Sequence, residues 1–220
     1  MLVAAHNVIS NGIAWEINTG YYASKSLSIL QDSTPSGIAF SSDGTKAYVV
    51  GRSNATIYQY TLSTAWDIST GSYASKSLSV TAQEVFPSGI AFSSDGTKAY
   101  IVGSSNDTIY QYTLSTAWDI STGSYASKSL SVTAEDGGPS GIAFSSDGTK
   151  AYIVGTVNDT IYQYTLSTAW DISTGSYASK SLSVTAQQNN PNGLAFSSDG
   201  TKAYVAGSGT DAVYQYNLVD

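Results

Sequence analysis

Few residues in this sequence could act as an acid, a base or an activated nucleophile. His6 is the only histidine, Arg52 is the only arginine, and the 220 residues include no cysteine. Serine, threonine and tyrosine hydroxyls are abundant, but a hydroxyl nucleophile needs a neighbouring base, and His6 stands alone near the N-terminus. Cysteine-based zinc sites and disulfide scaffolds are excluded. We therefore expect no catalytic residue, no cofactor and no enzyme activity.

Regularly spaced carboxylates are the candidates for a metal site. Four aspartates recur every 52 residues, each between a serine and a glycine: Asp43, Asp95, Asp147 and Asp199. A calcium series would have this spacing, but aspartate before glycine is also a common turn signal, and we favour the turn. Asp107 and Asp159 lie in Asn-Asp-Thr turns whose oxygens could bind calcium weakly. Our prediction for the chain is no bound metal.

Aromatic side chains offer a different chemistry, which is stacking against sugar rings. Each tryptophan precedes a tyrosine by seven residues, and the four are Trp15, Trp66, Trp118 and Trp170. If they are exposed, these pairs would form candidate sugar-stacking sites of a multivalent lectin. If they are buried, they would fill the space between neighbouring structural units. We favour packing and keep sugar stacking as the alternative.

The positions of these residues follow from an internal repeat. Pro35, Pro87, Pro139 and Pro191 are each 52 residues apart, and each opens the motif PSGIAFSSDGTKAY or a close variant. Self-similarity at this period is typical of repeat architectures. We divide a single domain, residues 1–220, into the units 35–86, 87–138, 139–190, and 191–220 together with 14–34. Residues 1–13 form an N-terminal extension without an assigned role.

The sequence of each unit predicts four short strands, here named a to d. In the first unit they are 37–41, 46–50, 56–62 and 75–81, and the third, TIYQYTL, shows the period of two of a β-strand. Four-stranded units of about 50 residues are typical of a β-propeller. Because 191–220 holds strands a to c and 14–34 holds strand d, we predict an all-β propeller of four blades closed by the N-terminal outer strand. The alternative is half of an eight-bladed C2 ring, so a monomer is slightly favoured over a C2 homodimer.

The first hairpin of each unit resembles a known family. GIAFSSDGTKAYVVG, residues 37–51, is similar to the inner hairpin of the lactonase-like and YVTN-type propellers. The resemblance implies a propeller fold, normally of seven blades. This chain departs from the family pattern at Ser42, where proline is usual, in the AWDIST segment of 65–70, and in having four units. A lactonase would also use a polar histidine, arginine and glutamate set in the channel, which the units do not supply.

Differences among the units concentrate in the b–c and d–a turns. Because successive connections of an up-and-down sheet lie at alternate ends, both turns lie on one face of the ring. This variable face carries six of the seven net negative charges. Its charged residues are the candidate binding face: Asp32, Arg52, Glu84, Asp107, Glu135, Asp136, Asp159 and Asp211. Drift of unconstrained turns would explain the variation equally well.

Net charge and hydropathy narrow the choice of partners. A net charge of −7 opposes binding to nucleic acid or anionic membranes, and no apolar run is long enough to span a bilayer. The first ten residues lack the basic region of a signal peptide, so we expect none, and the compartment stays open. We interpret the protein as a non-catalytic binding module whose unknown ligand could be a glycan. The alternative is a purely structural repeat scaffold or virion-type decoration without a small-molecule ligand.

Overall fold

The computed structural model describes residues 21–218, which form four antiparallel sheets that we call blades 1 to 4. Blade 1 contains β1 (Pro35–Phe40), β2 (Lys46–Gly51), β3 (Thr56–Leu62) and β4 (Gly71–Ser79). Blade 2 contains β5 (Pro87–Phe92), β6 (Lys98–Gly103), β7 (Thr108–Leu114) and β8 (Gly123–Ser131). Blade 3 contains β9 (Pro139–Phe144), β10 (Lys150–Gly155), β11 (Thr160–Leu166) and β12 (Gly175–Ser183). Blade 4 contains β13 (Pro191–Phe196), β14 (Lys202–Gly207) and β15 (Ala212–Asn217).

The innermost strands β1, β5, β9 and β13 line a common central cavity of about 560 Å³. Glycine at the third position of these strands lets successive blades approach closely. A Cβ added to Gly37 would lie only 2.9 Å from the carbonyl oxygen of Ser88 in blade 2. The predicted all-β propeller of four blades is confirmed.

The outer strand of each complete blade begins earlier than its alternation predicts. Alternation predicts a strand over 75–81, whereas β4 spans Gly71–Ser79. The pairing with β3 joins Gln59 to Lys76 and Tyr60 to Tyr73, so two residues of β4 between these pairs have no partner. One of them, Ser75, has a φ of 56°. This bulge interrupts the period of two, which hides the first half of the strand from a pattern search.

Blade 4 has three strands in the described part of the chain. The predicted fourth strand comes from 14–34, of which 14–20 lies outside the described residues. Residues 21–34 contain no strand, and they lie beside blade 1 rather than along β15, with Leu27 and Ile29 packed against buried Val49 and Tyr60 of blade 1. The described part of the N-terminal segment therefore packs on blade 1 and does not complete the sheet of blade 4.

Buried side chains between neighbouring blades form the core. Tyr48 and Ile57 of blade 1 pack with Ile101 and Tyr112 of blade 2, and all four are at most 2% exposed. The equivalent cluster joins blades 2 and 3. Blades 1 to 3 thus bury both faces of their middle strands, which explains why these strands combine tyrosine with β-branched residues.

The link between the third and fourth strands is tied to the preceding blade. In blade 2 it contains a 3-10 helix, Ile120–Thr122, and Asp119 caps that helix. The Tyr48 hydroxyl donates to the carbonyl oxygen of Trp118 at 2.7 Å, and the buried Gln59 accepts from the backbone N–H of Ile120 at 3.0 Å. Lys76 pairs with Asp119. Three side chains of blade 1 therefore fix the link of blade 2.

Candidate functional site

The variable turns meet at one end of the central cavity and form a polar mouth. This mouth has a volume of about 630 Å³. Hydroxyl and amide groups and one guanidinium line it: Thr34, Ser36, Arg52, Ser88, Ser104, Ser140, Thr156, Asn190 and Asn192. We call this set the axial mouth. Its chemistry suits a small ligand rich in hydroxyl groups.

Three acidic residues of the candidate binding face are buried instead of displayed. Asp32, Glu84 and Asp136 are 3%, 0% and 1% exposed. Asp136 accepts hydrogen bonds from the backbone N–H groups of Gly138 at 2.9 Å and Asn158 at 3.0 Å. Hydrogen bonds of this kind hold the d–a and b–c turns together. The burial of the three residues corrects the expectation that all eight residues form an exposed charged surface. Burial depends on the neighbouring turn, about 20 residues away, and a single turn sequence does not reveal it.

The other acidic residues of the face lie at turn positions. Asp107, Asp159 and Asp211 have φ angles of 46°, 46° and 52°, in the left-handed region that aspartate tolerates better than most residues. Glu135 accepts a hydrogen bond from the Tyr164 hydroxyl at 2.8 Å. Local backbone and packing needs therefore account for much of the acidic character of this face.

Blade 2 concentrates negative charge around Asp107. Burial, the charge of Asp136 and the charge of Glu84, in that order, raise the pKa of Asp107. Glu84 Oε1 accepts from the N–H groups of Phe86 at 2.8 Å and Ser105 at 3.1 Å. Glu84 Oε2 is buried and has no hydrogen-bond partner among the described residues. A buried, unpartnered carboxylate oxygen destabilises the folded state.

We expect the Glu84→Gln variant to be more stable than the wild type at neutral pH by about 1 kcal/mol, because it removes an uncompensated buried charge. Blade 4 already uses glutamine here: Gln188 accepts from Asn190 and Gly209 and donates to Thr210. The pKa of Asp107 should also fall, because one of the charges that raises it is gone. Denaturant melts and a carbon-13 NMR titration of the Asp107 carboxyl measure the two effects.

Glu135→Gln is the matched control on the same face. The other blades place glutamine at this position, and Gln83 accepts from the Tyr112 hydroxyl at 3.0 Å. This variant should leave the pKa of Asp107 unchanged. Equal changes in both variants would mean that overall charge, and not the buried Glu84, sets the pKa of Asp107.

Arg52 brings the positive charge to the axial mouth. Its guanidinium carbon lies 5.7 Å from the centre of the Phe86 ring, so the aromatic face helps to hold the cation in place. No carboxylate forms an ion pair with Arg52 in residues 21–218. The guanidinium therefore keeps its donors for an anionic or carbonyl group.

The mouth hydroxyls were missed by sequence reasoning. Ser36, Ser88 and Ser140 belong to the constant part of the repeat, so a search for differences among the units does not find them. Each donates to the proline carbonyl of the next blade, as Ser88 does to Pro139 at 2.8 Å. Their position as the second residue of each innermost strand was the available signal, because those strands line the axis.

The constant aspartates on the opposite face form turns. Asp43 accepts from the Ser41 hydroxyl at 2.6 Å and the Thr45 N–H at 3.0 Å. These bonds lower the pKa of Asp43 to about 2. In the described part of the chain, no group of three histidine or acidic residues converges as a metal site would require.

The candidate sugar-stacking tryptophans differ in environment. Trp118 is half-buried, with ring centres 5.4 Å from Phe92 and 6.4 Å from Tyr48 of the preceding blade, and Trp170 is placed equivalently. Trp66 is 62% exposed and contacts Phe40. Trp15 lies outside the described residues. Sugar stacking stays a prediction for this set.

Comparison with solved structures finds other propellers at low identity. A protein from Lactobacillus plantarum matches at 18% identity with a TM-score of 0.59, over 83% of this chain and 50% of the other. A candidate 6-phosphogluconolactonase from Bacteroides uniformis matches at 14% identity with a TM-score of 0.57, over the same shares. A periplasmic gluconolactonase from Pseudomonas aeruginosa matches at 14% identity with a TM-score of 0.53, over 83% of this chain and 49% of the other. The chain thus spans about half the length of these structures.

A comparison with curated proteins found no match. Residues 21–218 hold no helix of the length and apolar character needed to cross a membrane. The family comparison does match: residues 106–220 fit the model described as Lactonase, 7-bladed β-propeller. This match to a family of lactonases overturns the expectation that the protein is not an enzyme. Since the matched residues make up just over half of the sequence, the chain belongs to the lactonase family of seven-bladed β-propellers.

Proposed function

We propose that this protein binds a sugar lactone at the axial mouth and hydrolyses its ring ester. The observation that carries the proposal is the composition of the mouth, where hydroxyls and amides from all four blades surround one unpaired guanidinium. The family and the names of two structural neighbours support the same substrate class.

The axial mouth can recognise both the hydroxyl groups and an anionic group of such a substrate. The hydroxyls of Ser36, Ser88 and Ser140 already donate to proline carbonyls, so they offer acceptor oxygens to the hydroxyl groups of a sugar. The side-chain amides of Asn190 and Asn192 can both donate and accept. Arg52 can form charge-assisted hydrogen bonds to a carboxylate or phosphate group. We therefore expect a phosphorylated sugar acid to bind more tightly than its neutral counterpart.

Hydrolysis of a lactone needs little from the protein beyond positioning and charge stabilisation. The oxygen of a water molecule adds to the carbonyl carbon, the bond between that carbon and the ring oxygen breaks, and a proton moves from the water to the ring oxygen. Negative charge develops on the carbonyl oxygen, and amide N–H donors such as those of Asn190 and Asn192 can stabilise it while Arg52 holds the anionic group. No carboxylate lines the axial mouth in residues 21–218, so the geometry supports binding and carbonyl polarisation more strongly than general-base catalysis.

Calorimetry with stable products tests the proposal without loss of the ligand to spontaneous hydrolysis. We expect 6-phosphogluconate to bind more tightly than gluconate, and Arg52→Ser to weaken binding of 6-phosphogluconate by about tenfold or more, as loss of a charge-assisted bond would. Serine or threonine stands at this position in the other blades, as Ser104, Thr156 and Ser208. The substitution should therefore leave the fold unchanged.

Lys98→Ser is the control, because it removes one positive charge at the opposite face, where β6 follows a constant turn. It should bind both ligands as the wild type does. Hydrolysis of 6-phosphogluconolactone, followed by proton release, should be slowed in Arg52→Ser and unchanged in Lys98→Ser. The proposal fails if neither ligand binds, or if both variants behave alike.

A further inference from the structure

Three of the four seams between blades are built alike. Ser36 donates to the Pro87 carbonyl at 2.8 Å, Ser88 to Pro139 at 2.8 Å, and Ser140 to Pro191 at 2.5 Å. In blade 4 the equivalent residue is Asn192, which donates to Ser208 of its own blade at 3.2 Å. Within residues 21–218, no side chain of blade 4 makes the corresponding bond to Pro35.

The innermost strands show the same difference. A Cβ added to Gly37, Gly89 or Gly141 would meet backbone atoms of the following blade at 2.9, 3.2 and 3.0 Å, respectively. A Cβ added to Gly193 would meet only Ala206 of its own blade, at 3.8 Å. Blade 4 is therefore not packed against blade 1 as the other blades are packed against their successors.

Apolar side chains remain exposed along this fourth seam. Val213 of blade 4 is 49% exposed, whereas the equivalent Ile57 and Ile109 are fully buried. Ile38 of blade 1 is 55% exposed, whereas Ile90 is 6% exposed. The central cavity of about 560 Å³ extends into the seam, where Val49 lines one side and Val213 the other.

Near-identical blades should meet with near-identical rotations, because the same side chains set each angle. Four equal rotations close a ring only when each is a quarter turn. The three formed seams leave the fourth open, so the rotation between neighbouring blades is smaller than a quarter turn. In addition, 83% of this chain superimposes on half of two longer solved structures with TM-scores of 0.57 and 0.59, which fits four blades arranged as part of a larger ring. The four blades therefore form about half of a ring.

Residues 25–28 already occupy the position of an outer strand ahead of blade 1. Lys25 pairs with Asp67 at 2.6 Å, as Lys128 of β8 pairs with Asp171 of the next blade at 2.5 Å. A Cβ added to Gly71 would lie 2.8 Å from Leu27. In the same way, a Cβ added to Gly123 would lie 2.7 Å from Leu78 of β4. In each complete blade, such a strand pairs with the third strand of its own blade. Residues 25–28 have no such partner within residues 21–218.

The missing partner has the features of β15. This strand pairs with β14 on one side and with no strand on the other in the described part of the chain. We propose that a second copy of this chain supplies it, so that two copies form an eight-bladed ring with C2 symmetry. Each copy completes blade 4 of the other with its residues 25–28, and both open seams are filled. Such head-to-tail contacts close into a ring when the rotation allows it.

This inference does not depend on the lactone proposal, although the second copy would also complete the wall of the central cavity. Light scattering coupled to gel filtration should give twice the 23.0 kDa mass of one chain. Val213→Asp places a charge in the seam and should produce a folded monomer. Val157→Asp is the matched control, because Val157 is 63% exposed in a turn away from the seam, and it should stay dimeric.

A disulfide test identifies which chain supplies the strand. Thr56 pairs with Ser79 in blade 1, and Ala212 and Ser28 are the equivalent residues of β15 and the N-terminal segment. The chain has no native cysteine. A Ser28→Cys and Ala212→Cys double variant should oxidise to a covalent dimer, since paired strands bring Cα atoms within disulfide range. An internal disulfide in a 23.0 kDa monomer would overturn the proposal and show that one chain closes a four-bladed ring.

Discussion

Replacing Trp118 by alanine is expected to lower the free energy of unfolding by about 3 kcal/mol, near the lower end for a large aromatic residue because the indole is only half-buried. The indole packs against Phe92 of its own blade and Tyr48 of the preceding blade. The backbone carbonyl of residue 118 would still accept the hydrogen bond from Tyr48 in the variant. The change in stability, measured by denaturant melts, therefore reports the ring contacts.

Tyr21→Ala provides the reference for loss of an exposed aromatic ring, because Tyr21 is 89% exposed. Its effect on the free energy of unfolding should stay within about 0.5 kcal/mol. A Trp118→Ala variant that melts like the wild type but loses glycan binding would support sugar stacking over packing.

Gly96→Ala is expected to lower the free energy of unfolding by about 3 kcal/mol through two effects. Gly96 has a φ of 70°, where an L-residue costs about 1–2 kcal/mol. The new Cβ would also lie 2.2 Å from the Trp118 ring, and relieving such overpacking costs about 1–3 kcal/mol. Thermal and denaturant melts of the variant measure the sum.

A double-mutant cycle with Trp118→Ala separates the two effects. Without the indole, Gly96→Ala should cost only the backbone strain of about 1–2 kcal/mol. If the cost is the same with and without the indole, the ring does not rest on this turn, and the packing interpretation of Trp118 is wrong.

Sequence patterns predicted the local elements well where a short stretch contains all the determinants. The third strand of blade 1, predicted over 56–62, has those bounds in the structure. The Ser-Asp-Gly turn is also as predicted, with Gly44 at a φ of 69°. The start of β4 was predicted four residues late, because the bulge at Ser75 breaks the alternation on which the prediction relied.

The candidate site was predicted less well, because burial and convergence depend on distant residues. Asp32, Glu84 and Asp136 look like any other turn carboxylates in the sequence, yet each accepts a hydrogen bond from a backbone N–H group of the next b–c turn. Arg52 was predicted as one of eight charged residues of the variable face. Its axial position, which it shares with serines of the other blades, follows only from the tertiary structure.

By itself, the sequence determined the blade: a 52-residue period, four strands, the inner hairpin and the membership of a propeller family. These features follow from side-chain alternation and turn chemistry, which act over a few residues. Only the tertiary structure decided how the blades meet and that the fourth seam stays open. Ring closure depends on the rotation between neighbouring blades, which is set by the packing between them. Because this rotation repeats at every seam, a small difference in it adds up to a gap that no local pattern reveals.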